Sequence, residues 1–245
     1  MKNAFFVVFA LLFIALLSSF IPKRQLTVWM IGDSTMAIKS KNKFPETGWG
    51  MPFADMFNEK VIVQNHAKNG RSTKSFKNEG LWKNVYDNVQ KGDYVFIQFG
   101  HNDEKVDKPS VGVTPEEFEA NLREYVELAQ AKKAKPILLT PIARRKFENG
   151  ILQETHGLYA DVSCVLAKKM NVPCIDMRTI TNAMLTQMGE QASKSLFLHL
   201  EAGNVNYPKG VSDNTHLNTV GAQKVAELVV QEIKRQNIAL KSYLK

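Results

Sequence analysis

The chain has 245 residues, 44% of them hydrophobic, two cysteines and a formal net charge of +8. That length suits one α/β domain with a well-filled core once an N-terminal leader is set aside. No Lys/Arg block interleaved with aromatics occurs, which argues against nucleic acid as a partner.

Residues 1–24 read as a leader: Lys2 is followed by an almost wholly apolar run, Ala4 to Ile21, and then by Pro22, Lys23 and Arg24. This is the pattern of a secretory signal peptide. No clean Ala-x-Ala cleavage site is present, so an uncleaved N-terminal membrane anchor stays open beside it. The expected location is therefore secreted or periplasmic, free or anchored. Removing Lys2, Lys23 and Arg24 lowers the charge excess but keeps it positive, which suits an acidic substrate or an ordinary mixed-charge surface.

Residues 25–245 are expected to form a single domain. Short, continuously apolar runs at Leu26–Ile31, Val61–Asn65, Tyr94–Phe99, Pro136–Thr140 and Val172–Asp176 alternate with helical patterns. Continuous rather than alternating hydrophobicity indicates strands covered on both faces, and the alternation with helices indicates a parallel sheet. Thr114-Pro115-Glu116-Glu117 opens a helix with a cap, a proline and early acids. Its apolar stripe is Phe118, Leu122, Tyr125, Val126 and Ala129. Further helices are expected over Tyr159–Met170 and from about Asn218 to Gln236, the last carrying Val220, Val225, Leu228, Val229 and Ile233. Asn149-Gly150 between short extended runs predicts a hairpin within Arg144–Thr155, overhanging the carboxyl edge of the sheet. Cys164 and Cys174 fall in apolar company within a helix and a strand and read as two buried free thiols, although an oxidising compartment permits a bridge.

Chemistry gathers at the two ends of the chain. Ser34, in Gly32-Asp33-Ser34-Thr35, follows the first strand, where open α/β sheets place their crevices. Alone it reads equally as a helix cap. Asp213-Asn214-Thr215-His216 lies just before the last helix, and on one turn Asp213 can accept the Nδ1 proton of His216 and leave Nε2 facing a hydroxyl. Capping by Asp213 or Thr215 is compatible with that. Asn69-Gly70-Arg71 and Gly100-His101-Asn102-Asp103 follow the second and third strands and offer donors for a developing oxyanion. Gly-x-Ser-x-Gly is absent, which disfavours an α/β-hydrolase elbow, and no P-loop glycine pattern follows. His101 and Asp103 invite a metal, but the acid pairs of a two-metal site are missing and the two cysteines lack zinc spacing.

These segments together, Gly32-Asp33-Ser34-Thr35, Gly70, Gly100-His101-Asn102-Asp103 and Asp213-Asn214-Thr215-His216, resemble the four blocks of the SGNH (GDSL-type) hydrolase superfamily, in order. With Gly48-Trp49-Gly50, Asn69-Gly70-Arg71-Ser72 and Thr155-His156-Gly157, the chain looks like the rhamnogalacturonan acetylesterases within it. The resemblance implies a three-layer α/β/α sandwich of flavodoxin-like type with a five-stranded parallel sheet. It implies Ser34 as nucleophile, His216 as base and Asp213 as its partner, with the Ser34 and Gly70 N–H groups and the Asn102 amide as oxyanion hole. The expected substrate is an acetylated plant polysaccharide, and no cofactor or metal is required. Weaker expectations attach to Trp49 as a sugar-stacking platform or a packing residue, to His156 lining the cleft, and to Arg144 and Arg145 meeting uronate carboxylates or lying in a solvated loop. Two rivals remain: the same chemistry on acetylated xylan, a lipid or a thioester, and a non-catalytic carbohydrate-binding module. Retention of Ser34, Asp213, His216 and Asn102 argues against the second.

Overall fold

The computed structural model describes residues 24–245. The leader read over residues 1–24 lies outside them apart from Arg24. Five strands form one parallel sheet: β1 (Leu26–Gly32), β2 (Val61–Asn65), β3 (Tyr94–Gln98), β4 (Lys135–Leu139) and β7 (Cys174–Ile175), in the order β2-β1-β3-β4-β7. Alternate residues of one strand point to opposite faces. Val28 and Met30 of β1 therefore enter one core with Phe96, Ile137 and Ile175, while Trp29 and Ile31 enter the other with Val95, Ile97 and Leu138. Both faces are apolar because helices cover both, giving the three-layer α/β/α arrangement.

The helices are α1 (Gly50–Ala54), α2 (Thr73–Asn78), α3 (Leu81–Asn88), α4 (Pro115–Ala131), α5 (Leu158–Lys169), α6 (Met177–Ser193) and α7 (Thr219–Arg235). Helix α4 starts where the sequence places it. Thr114 accepts from the Glu117 N–H, and the Glu117 side chain accepts in return from the Thr114 N–H. That capping box satisfies donors the helix cannot. Its Phe118, Leu122 and Tyr125 are fully buried in the second core. Helix α7 is capped by Asn218 and buries Val225, Val229 and Ile233 in the first. Val220, counted with that stripe from sequence, is 63% exposed.

Two small antiparallel pairs lie outside the main sheet. The Asn-Gly hairpin forms as expected, with β5 (Phe147–Glu148) against β6 (Ile151–Leu152) and positive φ at both Asn149 and Gly150. The second pair, β8 (Phe197–Leu200) and β9 (Val211–Leu217), was not visible in the sequence. Its strands are separated by a polar, glycine-containing loop, and β9 alternates half-buried and exposed residues.

The two cysteines are not free. Cys164 on α5 is disulfide-bonded to Cys174 at the start of β7, with a Cα–Cα distance of 5.3 Å. The expectation of buried thiols fails because β7 is the edge strand of the sheet. Its first residue is only half covered, and the helix that covers it brings Cys164 directly opposite. The bridge closes a loop with a sequence separation of 10 residues. A loop of that size removes about 2–3 kcal/mol of unfolded-state entropy. Reduction, or Cys164→Ser with Cys174→Ser, is expected to lower the stability measured by urea unfolding by that amount; a loss below about 0.5 kcal/mol would contradict it.

Candidate active site

Strand β1 has β2 on one side and β3 on the other: the chain passes from β1 to β2 on one side and then crosses back over β1 to β3, where the strand order reverses. It is the switch point of the sheet, so the loop after it opens into a crevice at the carboxyl edge. Ser34 sits there. The turn is held by Asp33, whose Oδ1 accepts from the Thr35 N–H at 2.9 Å and the Thr35 hydroxyl at 2.8 Å. Asp33 is fully buried, and that burial pushes its carboxyl above the usual carboxylate range against the pull of those two bonds.

His216 comes from the opposite end of the chain, on β9. In the β8–β9 ladder Leu198 faces Asp213 and Phe197 faces Leu217, so Asn214, Thr215 and His216 are extruded as a bulge. Such bulges re-aim side chains. Within this one, Asp213 Oδ1 accepts from the N–H groups of Thr215 at 2.7 Å and His216 at 2.9 Å. Its Oδ2 lies 2.7 Å from His216 Nδ1, and His216 Nε2 lies 2.9 Å from Ser34 Oγ. The carboxylate can only accept, so the proton is assigned to Nδ1, and Nε2 is left as acceptor for the serine hydroxyl. Burial alone would raise the Asp213 pKa. The His216 side-chain bond and the two backbone N–H bonds outweigh it and hold the carboxyl down to about 2.

Gly70 and Asn102 line the same cleft, a cavity of about 470 Å³ with Ser34, Asp213 and His216 in its wall. The backbone N–H groups of Ser34 and Gly70 meet no protein acceptor among the described residues. Gly70 has φ +76°, a left-handed conformation that a side chain would strain. The Asn102 amide donates to Arg71 O at 3.1 Å and accepts at Oδ1 from Lys105 Nζ at 2.7 Å, which fixes the face on which its NH₂ lies. Three donors thus line the cleft that holds the serine hydroxyl. An arrangement of this kind can ionise a hydroxyl toward a carbonyl carbon and hold the resulting oxyanion.

Four further sequence expectations are decided by side-chain direction. Trp49 is fully buried and donates its indole N–H to Gln98 Oε1 at 2.8 Å, so it packs and offers no face to a sugar. His156 is buried too, between Glu104 at 3.0 Å and Ile142 O at 2.8 Å, and does not line the cleft. Arg145 is 7% exposed and turns inward, donating to Asn214 Oδ1 at 2.9 Å, Ser193 Oγ at 3.2 Å and Glu190 O. It braces the bulge that carries His216. Arg144 does line the cleft, but its guanidinium is paired with Glu104 and donates to His101 O at 3.3 Å. Three of the four, Trp49, His156 and Arg145, turn into the body of the protein, because a position beside the crevice does not set the direction of a side chain.

Of the other residues around the site, Gln98 and Lys39 carried little sequence signal, while His101 and Asp103 stood out only within the Gly100-His101-Asn102-Asp103 block. Gln98 interrupts the apolar run of β3; its amide donates to Thr140 O at 3.1 Å and accepts from Trp49 and, at 3.4 Å, from Thr35, tying three loops beneath Ser34. Lys39 has a side chain only 1% exposed, with Nζ on Glu46 Oε1 at 2.7 Å and on Asn69 Oδ1 at 2.8 Å. It thereby anchors the loop of Gly70. Asp103 accepts from the Thr73 N–H and hydroxyl at 2.8 and 2.6 Å and from the Gly100 N–H, and burial pushes its carboxyl up to about 7. His101 packs edge-on against His156 with neither ring nitrogen paired; burial, and then the neighbouring His156 and Arg144, hold its pKa well below the ordinary imidazole range. Among the described residues no group of three or more His, Cys, Asp or Glu is arranged to hold a metal.

The GDSL-like lipase/acylhydrolase family model matches residues 28–229. The chain is 39% identical to the rhamnogalacturonan acetylesterase RhgT of Bacillus subtilis (strain 168) over 225 residues, covering 91% of this chain and 95% of that one. It is 31% identical to the probable rhamnogalacturonan acetylesterase YesY of the same organism, over 87% of this chain and 94% of that one. The crystal structure of the Bacillus subtilis YxiM protein superposes with a TM-score of 0.76 at 27% identity, over 88% of this chain and 58% of that longer one. The chain belongs to the GDSL-like lipase/acylhydrolase family, the SGNH hydrolases. It is a carboxylic-ester hydrolase.

The low Asp213 pKa has a consequence for acid stability. A carboxyl that titrates at about 2 when folded against 3.8 ordinarily stabilises the folded state above 3.8, and that contribution is lost as pH falls through about 2. Asp213→Asn removes it. Urea unfolding of the variant is expected to depend less steeply on pH across that window than the parent; equal slopes would contradict the assignment.

Proposed function

We propose that the chain removes acetyl groups from acetylated rhamnogalacturonan by two-step acyl transfer, with Ser34 as nucleophile, His216 as base and Asp213 as the group that orients it. The observation that carries the mechanism is the continuous line of contacts from Asp213 through His216 to Ser34, at 2.7 and 2.9 Å. The substrate reading is supported by the 39% identity to RhgT along nearly its whole length.

In the first step His216 Nε2 takes the Ser34 proton as Oγ attacks the acetyl carbonyl. The Ser34 and Gly70 N–H groups and the Asn102 amide receive the negative oxygen. The imidazolium is stabilised by Asp213, and it returns its proton to the departing sugar hydroxyl. Water then enters, His216 accepts its proton, and the second tetrahedral intermediate collapses to acetate and free serine. Every proton is accounted for by one imidazole, and no cofactor or metal takes part in this scheme.

The proposed location is outside the cytoplasm. It rests on the leader pattern of residues 1–24 and is supported by the Cys164–Cys174 bridge, which persists in oxidising compartments.

Ser34→Ala is expected to abolish hydrolysis of p-nitrophenyl acetate while leaving circular dichroism unchanged; retained turnover would sink the mechanism. Asn102→Ala is expected to lower kcat by roughly 10²–10³, the cost of one oxyanion donor. A change confined to KM would remove Asn102 from that role. For substrate, acetate release is compared on acetylated rhamnogalacturonan, acetylated xylan and a long-chain ester. Faster release from xylan or from the long-chain ester would overturn the pectin reading and leave the mechanism standing.

A further inference from the structure

The cleft around Ser34 carries charge that the chemistry of acyl transfer does not use. Lys43, Lys105 and Arg144 line it on the basic side, Glu46 and Asp213 on the acidic side. Both acids are already matched, Glu46 by the buried Lys39 and Asp213 by His216. Arg144 is matched by Glu104. The two lysines are left over. An ammonium has three N–H donors, and Lys105 gives one to the neutral amide oxygen of Asn102 at 2.7 Å. Among the described residues neither Lys105 nor Lys43 has a carboxylate within ion-pair distance. Lys105 is moreover half-buried; burial, and then the like charges of Lys108 and Arg144, pull its pKa down. An anion placed beside it would favour the charged ammonium against both.

Resting on the polysaccharide reading above, we propose that Lys43 and Lys105 form a carboxylate-binding subsite that takes a uronate of the substrate beside the acetylated hydroxyl. Lys105 Nζ lies 2.7 Å from Oδ1 of Asn102, one of the three oxyanion donors, in the same cleft wall as Ser34, so a carboxylate it holds lies beside the reacting acetyl group. A polymer with uronates at regular intervals presents such a charge next to its acetyl esters, whereas a neutral backbone does not. This subsite replaces the earlier expectation that Arg144 and Arg145 meet those carboxylates, since one is neutralised by Glu104 and the other is buried.

The test compares acetylated rhamnogalacturonan with the same polymer carboxyl-reduced and brought to matched acetyl content, each assayed by acetate release. Two partly exposed ion pairs predict a preference for the native polymer of about 5–10-fold in kcat/KM, carried by KM. The preference should shrink as ionic strength rises toward about 0.5 M. In Lys43→Met/Lys105→Met, and more weakly in Lys43→Met alone, the ratio between the two polymers should fall toward one. Equal kcat/KM on both polymers in the parent enzyme, a salt-independent ratio, or a ratio unchanged in the double variant would overturn the subsite. Acetate release from neither polymer, with p-nitrophenyl acetate still hydrolysed, would overturn the pectin reading itself and this subsite with it.

Discussion

The contact between Ser34 and His216, 2.9 Å across 182 residues of sequence, is the constraint on which the rest of the molecule depends. A hydrogen bond of that kind is worth only about 1 kcal/mol by itself, so it cannot pull the chain ends together. The scaffold must deliver both groups already aligned. Strand β1, interior to the sheet and buried, fixes the serine side. On the other side Thr47 N–H to Leu217 O at 2.9 Å and Trp49 N–H to Thr35 O at 2.9 Å tie the loop after Ser34 to the end of β9. Gly48 makes that approach feasible, because a Cβ there would run into the backbone of Met36 and Ala37.

Polar groups beneath the site do the fine alignment, and most of them are buried and satisfied. Gln98 joins Trp49, Thr35 and Thr140; Asp103 joins the start of α2 to the loop after β3; Arg145 fixes Asn214 inside the bulge. Side chains locked in this way lose little further freedom when substrate arrives, which is what preorganised stabilisation of an oxyanion requires. The cleft wall therefore divides into two kinds of charge. Charges with an oppositely charged partner hold geometry, whereas Lys43 and Lys105, with no carboxylate partner among the described residues, line the cleft.

The architecture was legible because it rests on contiguous patterns. Tyr94–Ile97 and Val28–Ile31 are apolar throughout, the signature of strands covered on both faces, and the Thr114 to Glu117 cap marked α4 to the residue. Ser34, Asp213, His216, Gly70 and Asn102 were found together because each follows a strand end or precedes a helix, positions that converge on one edge. Direction of a side chain is not written locally, and there the reading of the sequence went astray. Arg144 and Arg145 are neighbours of identical chemistry, yet one faces the cleft and the other the interior. For Trp49 the sequence left platform and packing open, and the bond from its indole N–H to the distant Gln98 decides for packing. The β8–β9 pair, and with it the bulge that aims His216, left no period-two hydrophobic signal. The disulfide was missed because edge-strand status depends on the order of strands, not on the residues around each cysteine.

Labelling with a fluorophosphonate, followed by peptide mass mapping, reads out the coupling of Ser34 to His216 itself, because the reagent reacts only with a hydroxyl activated by a neighbouring base. A single adduct is expected on Ser34 in the parent protein, lost in His216→Ala. An adduct on another residue, or labelling of Ser34 that survives removal of the imidazole, would contradict that coupling.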